Sequence, residues 1–383
     1  MTGSEERRAA VFAFMSWKKT GRFVKEFLPK GDSRAFVQDL AYMMVRRMKT
    51  LRYCLGKLLK TWPLGEAEAL LYAGAAQILF MPDVPDYAAV SETVSAAAGC
   101  GRSTKGFVNA VLRGLLRRRD AIVAQLNDAG PDVVESFPRK LYIRWLGRFG
   151  EEGAPELMRW HNVPAETFIA ASDGSFRRLE RAVRVEDVAG YGEGKFIVQD
   201  PGTATAVELV APREGERILD LCAAPGGKTA QMAWRGAKVT ACEVNEKRRE
   251  TLAGTVSRLG LDVAIVSSPD EAAQGAWDKV LVDAPCSNTG VLRRRPEARW
   301  SWSGEKMKAL AATQAEILDR AAPLVKKGGA IVYSTCSNEP EENSLQVESF
   351  LARHPGFELE DERENVPHVS RTDGAYAARI KRK

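Results

Sequence analysis

Over the first 140 residues apolar positions recur at steps of three and four: Phe23/Phe27, Phe36/Leu40/Met44, Leu51/Leu55/Leu58, Val90/Val94/Ala97 and Val108/Leu112/Leu115. That spacing lines one face of an α-helix. Gly and Pro clusters near 29–31, 63–65, 82–85 and 99–101 separate the runs and mark the turns between them. The pattern predicts a helical bundle over residues 1–138, with its aromatic and methionine side chains in the core rather than on a ligand. At Ser136-Phe137-Pro138 the periodicity changes. Residues 139–197 read as a small α+β connector, with a helix through Tyr142, Trp145 and Leu146, a strand at 167–171 and a turn at Gly190-Tyr191-Gly192-Glu193-Gly194. From Asp200 onward, short apolar runs at 218–222, 239–244, 263–266, 280–283 and 330–333 alternate with helical stretches near 228–235, 246–259, 305–325 and 340–353. Strands of that kind, spaced by helices, predict an α/β domain with a doubly wound parallel sheet over residues 198–383. Pro340-Glu341-Glu342, just after Ser337-Asn338, has the composition of a helix start, with Pro in the first turn and acids at the positive end of the dipole.

The formal charge of +6 is spread unevenly. Residues 1–140 hold 22 Lys and Arg against 14 Asp and Glu, a net +8, so the rest of the chain is slightly acidic. Between Glu92 and Asp120 there are six bases and no acid. On a helix, Lys105, Asn109, Arg113 and Arg117 fall at four-residue steps on one face, a track suited to phosphates; a solvated helix face is the competing reading. The longest uncharged apolar run, 69–82, is shorter than the roughly 20 residues that span a bilayer. The opening Met-Thr-Gly-Ser-Glu-Glu-Arg-Arg has no secretory apolar core, so a cytoplasmic monomer without a membrane partner is expected. Six cysteines, at 54, 100, 222, 242, 286 and 336, lack Cys-x-x-Cys spacing and are joined by only three histidines, which predicts reduced thiols and no metal site.

Two of those thiols occupy matching places. Cys286 in Asp283-Ala284-Pro285-Cys286 and Cys336 in Ser334-Thr335-Cys336-Ser337 each follow an apolar run. Both are therefore expected at the carboxyl edge of one sheet, where open α/β folds bind ligands, and paired thiol chemistry is the implication. A third loop, Asp220-Leu-Cys-Ala-Ala-Pro-Gly-Gly-Lys-Thr229, sets a Gly pair between a strand and a helix start, and Glu243 ends the next strand 23 residues on, where an acid can take ribose hydroxyls. This is a nucleoside-type site. Gly227-Lys228-Thr229 also fits the end of a phosphate-binding P-loop, but that pattern needs Gly where Cys222 stands, and G-x-G-x-x-G is absent.

Cys222-Ala-Ala-Pro-Gly-Gly-Lys-Thr229, Asp283-Ala-Pro-Cys-Ser-Asn-Thr-Gly290 and Tyr333-Ser-Thr-Cys-Ser-Asn338 followed by Pro340-Glu-Glu-Asn343 resemble, in order, the motif set of the Sun family of RNA cytosine-C5 methyltransferases. Val84-Pro-Asp-Tyr-Ala-Ala-Val-Ser-Glu92 and Lys105-Gly-Phe-Val-Asn-Ala-Val-Leu-Arg113 are similar to the NusB-like RNA-binding domain of the family's bacterial 16S ribosomal RNA members. The resemblance implies a Rossmann-like class I methyltransferase domain, S-adenosyl-L-methionine as methyl donor, and structured RNA, 16S ribosomal RNA first, as substrate. The donor would lie on Cys222, Ala223, Ala224, Pro225, Gly226, Gly227 and Lys228, with Glu243 at the ribose, Asp270 near the adenine and Asp283 between donor and base.

Cytosine C5 is too weak a nucleophile to take a methyl group unaided, so a thiolate first adds to C6. In the family that nucleophile is the Thr-Cys thiol, here Cys336, while the Pro-Cys thiol, here Cys286, serves in removing the C5 proton and releasing the product. Asp283 would hydrogen bond the N3/N4 edge, and Lys228 would lower the thiol pKa values and orient the loop. Arg293-Arg294-Arg295 would join Lys105, Arg113 and Arg117 in contacting RNA phosphates, whereas Cys54, Cys100 and Cys242 read as inert small hydrophobes. Three departures bear on the choice of RNA. The connector is shorter than the family's RRM-like segment, Phe168-Ile169-Ala170-Ala171 stands where an Arg- and Asn-rich motif is expected, and Asp373-Gly374-Ala375-Tyr376 replaces the usual double Phe. Transfer RNA or 23S ribosomal RNA are the alternatives within the class, and a non-catalytic ribosome-assembly or antitermination factor is the alternative outside it.

Overall fold

In the computed structural model, which describes residues 1–31, 33–180, 183–272 and 277–383, contacts divide the chain into two units. One holds residues 1–163 with 295–301, and the other 164–294 with 302–383. Among the described residues no helix is long and apolar enough to cross a membrane.

The first unit is helical. Gly3–Thr20 opens on a capping box between Thr2 and Glu5, and Arg34–Arg46, Met48–Gly56, Glu66–Phe80, Asp86–Ala96 and Arg102–Arg117 follow, four of them on the predicted apolar runs. The Phe23/Phe27 pair instead falls on a single 3-10 turn, Val24–Phe27. Glu66–Phe80 is the hub: Leu70, Leu71, Tyr72, Ala73, Ala75 and Ala76 are all buried, and a helix apolar on every side is one enclosed by its neighbours. Gly74 makes the closest approach possible, because a Cβ there would lie 2.4 Å from Leu112 Cδ1.

Two sequence boundaries move. The helix expected near Tyr142 runs from Arg139 to Trp160, bends at Gly150 (φ 73°) and buries Leu141 and Trp145 in the helical unit, where Trp145 packs on Phe137 with ring centroids 5.5 Å apart. The connector expected over 139–197 is divided: its helix belongs to one unit, and its strands, which enclose a small cluster of Ile169, Leu179 and Phe196, to the other. Residues 295–301, assigned from sequence to the catalytic domain, also belong to the helical unit. Arg299 is fully buried there, donating to the carbonyls of Arg46, Ser136 and His161 and to Asn162 Oδ1 at 2.9 Å, with its guanidinium 3.9 Å above the Phe137 ring. Trp300 Nε1 donates to Val45 O at 2.8 Å. Arg299→Ala leaves these acceptors without a donor, and since an orphaned buried acceptor costs about 1–3 kcal/mol, a loss of at least ~3 kcal/mol in urea unfolding is expected.

The second unit carries two sheets. β1 (Phe168–Ala171), β2 (Phe176–Arg178) and β3 (Phe196–Val198) form a small antiparallel sheet in the order β2-β1-β3. The main sheet contains β4 (Arg217–Asp220), β5 (Lys238–Cys242), β6 (Ala264–Val266), β7 (Trp277–Asp283), β8 (Val325–Thr335), β9 (Phe357–Asn365) and β10 (Ala375–Arg382), ordered β6-β5-β4-β7-β8-β10-β9. β4 to β8 are the five predicted strands, mutually parallel and separated in sequence by helices Gly227–Trp234, Glu246–Arg258 and Gly304–Ala321, with Ser344–Arg353 after β8. The wholly parallel sheet expected from sequence is instead mixed, because β9 and β10 pair antiparallel, which needs no crossover helix. β9 reads Phe-Glu-Leu-Glu-Asp-Glu-Arg-Glu-Asn, a charged edge that carries no apolar run and resists pairing with another chain. The strand order reverses between β4 and β7, and their carboxyl ends open the crevice in which such folds bind ligands.

The helix start expected at Pro340 is also displaced. Pro340–Glu342 is a 3-10 turn, Asn343 breaks the backbone at φ −117° and ψ −111°, and the helix begins only at Ser344. Glu342 is not a solvated dipole partner but a fully buried side chain.

Candidate active site

β4 ends at Asp220, and the chain turns through Leu221–Gly226 into the helix Gly227–Trp234. Gly226 sits at φ +105°, with a hypothetical Cβ 3.0 Å from Leu252 Cδ1, so this turn needs glycine. Asp220, absent from the sequence-derived site, is buried; its Oδ2 accepts from Thr229 Oγ1 at 2.7 Å, while Oδ1 has no partner among the described residues. Gln199 Oε1, against Gly227, is likewise buried without a partner. Two orphaned acceptors beside a helix start suit the donor groups of an amino-acid-bearing nucleoside. Cys222 lies in the same loop, where burial and then the Asp283 charge push its thiol pKa up, so it remains a neutral wall of the site. Glu243 follows β5 and is buried, accepting from Asn245 N at 3.0 Å and pairing with Arg248 at 3.2 Å. Asp270 lies in the turn Pro269–Glu271 after β6, largely exposed and paired with Arg320 at 3.1 Å.

Burial raises the Asp220 pKa from 3.8 to about 7. A raised folded-state pKa means that this group's contribution to stability is fully present below about 4 and is lost as pH rises through about 7. Asp220→Asn is therefore expected to flatten the fall in stability of the ligand-free protein between those pH values, measured by urea unfolding against wild type.

β7 and β8 pair with Asp283 opposite Ser334, so the loops leaving them run side by side. Asp283 Oδ2 accepts from Lys228 Nζ at 2.7 Å and Oδ1 from Ser334 Oγ at 2.8 Å. Burial alone would lower the Lys228 pKa, but the charge and hydrogen bond of Asp283 outweigh it and hold the ammonium above its ordinary value. Cys286 Sγ and Cys336 Sγ are 3.2 Å apart. Cys336 Sγ also lies 3.5 Å from Asn288 Oδ1, and Asn288 Nδ2 donates to Cys286 O. The hydrogen bond to Cys336, then burial, raise Cys286 well above the usual thiol range. The lowering of thiol pKa values expected of Lys228 is outweighed at Cys286 by its hydrogen bond to Cys336 and by burial. Gly290 N donates to Cys336 O and Gly374 N to Gly290 O, at 3.0 and 2.9 Å. A Cβ on Gly374 would come within 2.7 Å of Gly290 Cα, so the two glycines pack backbone on backbone.

The arginine run separates. Arg293 is buried and donates to Pro164 O, while Arg294 bridges Asp373, Asp200 at 2.8 Å and Glu166 O at 2.9 Å. Asp200 and Asp373 are both buried, and without Arg294 they would be uncompensated charges. The phosphate contacts expected of Arg293 and Arg294 are thus corrected to structural ones. Arg295, exposed and over the Phe23 ring, belongs to the helical unit. Lys105, Arg113 and Arg117 lie exposed along Arg102–Arg117, with Arg113 Nε donating to Asn109 Oδ1 at 3.1 Å. Cys54 and Cys242 are buried, with pKa values pushed up to about 11 chiefly by burial, and Cys100 is partly exposed.

The sequence profile of the 16S rRNA methyltransferase RsmB/F family matches residues 207–381, and that of the NusB family residues 4–117. The ribosomal RNA small subunit methyltransferase B of Erwinia tasmaniensis is 33% identical over 393 residues, covering 90% of each chain, and that of Escherichia coli O7:K1 is 31% identical over 400 residues, covering 91% of each. The crystal structure of PH0851 superposes with a TM-score of 0.80 at 22% identity, covering 100% of this chain and 99% of that one. A methyltransferase homolog protein from Pyrococcus horikoshii gives a TM-score of 0.58 at 21% identity over 68% of this chain and 99% of that one; both are likenesses of fold. Since these relatives match at 31% and 33% identity over 90% or more of both chains, the chain belongs to the 16S rRNA methyltransferase RsmB/F family.

Proposed function

We propose that the protein is an S-adenosyl-L-methionine-dependent RNA methyltransferase that modifies C5 of a cytosine in 16S ribosomal RNA, using Cys336 as nucleophile and Cys286 in proton removal. The observation that carries this reading is the pair of thiols 3.2 Å apart at the carboxyl ends of adjacent parallel strands, beside the Asp283–Lys228 pair. Two sulfurs so close can address two bonded atoms of one base. Residues 222–228, with Asp220 and Gln199, would hold the donor, Glu243 its ribose and Asp270 its adenine end. Bound S-adenosyl-L-methionine supplies an electrophilic methyl group.

Cys336 thiolate adds to C6, which moves the electron pair of the C5–C6 double bond to C5 and makes that carbon nucleophilic. Asp283, held by Lys228 and Ser334, would hydrogen bond the N3/N4 edge as charge builds on the ring. In the free enzyme the Cys286 and Cys336 sulfurs lie within hydrogen-bond reach of each other, at 3.2 Å. Once Cys336 sulfur is bound to carbon it no longer accepts that hydrogen bond; Cys286 gives its own proton up to solvent, and the resulting thiolate takes the C5 proton. Loss of that proton restores the C5–C6 double bond and expels the Cys336 thiolate.

The test is incubation with donor and 16S ribosomal RNA from cells lacking the gene, followed by bisulfite mapping. A newly protected cytosine in 16S RNA is expected; protection only in transfer RNA or 23S RNA moves the substrate, and none anywhere favours a non-catalytic factor. Lys105, Arg113, Arg117 and Arg295 are the proposed phosphate contacts. Neutralising the three residues on Arg102–Arg117 should weaken RNA binding and lower the slope of log K against log salt by roughly 2–3 units, as nearly one counterion is released per phosphate. An unchanged slope returns these residues to a solvated face.

A further inference from the structure

We propose that Glu342 is the positioning residue that sets the separation of the two thiols, acting through the serine that follows each of them; the inference rests on the two-thiol reading above. Glu342 is fully buried. Its Oε1 accepts from Ser287 N at 2.9 Å and Gln314 Nε2 at 3.1 Å, and its Oε2 accepts the hydroxyls of both Ser287 and Ser337. Four donors fill the acceptor capacity of one ionised carboxylate. The proton inventory is consistent, because Ser337 Oγ itself accepts from Glu339 N at 3.0 Å and leaves its own hydrogen for Glu342.

Ser287 follows Cys286 and Ser337 follows Cys336, so a single oxygen ties together positions one peptide unit from each sulfur. The clamp has a second side. Gln314 Nε2 also donates to Pro285 O at 2.9 Å, on the other flank of Cys286. Thr335 Oγ1 donates to Asn343 Oδ1 at 2.6 Å, and Asn343 Nδ2 to Ser337 O at 2.9 Å, flanking Cys336. Tyr333 OH, deep in the sheet, donates to Glu342 O at 2.6 Å and fixes the carboxylate's own backbone. This explains why the turn Pro340–Glu342 does not run on into a helix: residues 342 and 343 face inward to hold both loops. A carboxylate buried at such cost is retained where its geometry matters, and the two thiols must reach neighbouring ring atoms.

Phenylarsine oxide tests the spacing without reference to methyl transfer. It captures two adjacent thiols, forming two As–S bonds and releasing its oxygen, with both thiol protons, as water. Wild type is expected to bind one equivalent rapidly and Cys286→Ser to lose that capture. Glu342→Ala should slow capture and, because a misplacement near 1 Å costs about 100-fold, lower kcat by about that factor, with KM for RNA and donor affinity changed less than about threefold. Glu342→Gln, which retains polar atoms facing both hydroxyls, should recover most of both losses. Wild-type capture by Glu342→Ala overturns the inference, whatever happens to kcat. Should that variant fail to fold, Ser287→Ala and Ser337→Ala each remove one arm and are expected to slow capture and turnover in part; normal values in both also overturn it. If methyl transfer survives Cys336→Ala, the two-thiol reading fails while arsenical capture still decides the role of Glu342.

Discussion

Cys336→Ala is expected to lower methyl transfer by at least about 10⁴-fold while leaving donor affinity within about threefold, because removing the proposed nucleophile stops the reaction before C5 becomes reactive. The mutation sits in the loop after β8, whereas the proposed donor cradle is built from the loop after β4 and the helix Gly227–Trp234. Donor titration and single-turnover transfer to 16S ribosomal RNA measure the two effects separately. Near-native turnover in the variant would reassign the nucleophile.

The second large effect is an accumulation rather than a loss. Cys286→Ala keeps Cys336 and the Asp283–Lys228 pair, so it should form the adduct and take the methyl group. It lacks the group proposed to remove the C5 proton, so the bond from Cys336 to C6 should persist. With donor present, a denaturation-resistant protein–RNA band is expected in Cys286→Ala and none in the double variant. Appearance of the band in Cys336→Ala, dependent on Cys286, would reverse the roles.

The strands that carry this chemistry were legible because burial on both faces leaves an unbroken apolar run. Val280-Leu281-Val282 and Ala330-Ile331-Val332-Tyr333 are all buried in adjacent strands. β9 was not legible for the opposite reason: an edge strand meets solvent and carries glutamates where a central strand carries valine. The helix over 105–117 was visible because its apolar stripe and basic face alternate at the helical period. Arg293 and Arg294 were misread because a run of arginines has the same composition whether it faces RNA or, as here, meets the Pro164 carbonyl through Arg293 and Asp200 and Asp373 through Arg294, partners that lie far away in sequence.

The sequence by itself determined the class of site. Strand ends and loop residues are local properties, so the presence of two thiols and a glycine loop at one sheet edge follows from the order of apolar runs. The tertiary structure decided everything that depends on partners: which carboxylate Lys228 meets, that Arg299 completes the helical unit, and that the turn at Pro340 sends Glu342 inward to both serines. The physical reason is that a hydrogen bond or ion pair forms between groups brought together by the packing of distant segments, and local periodicity carries no record of which segments those are.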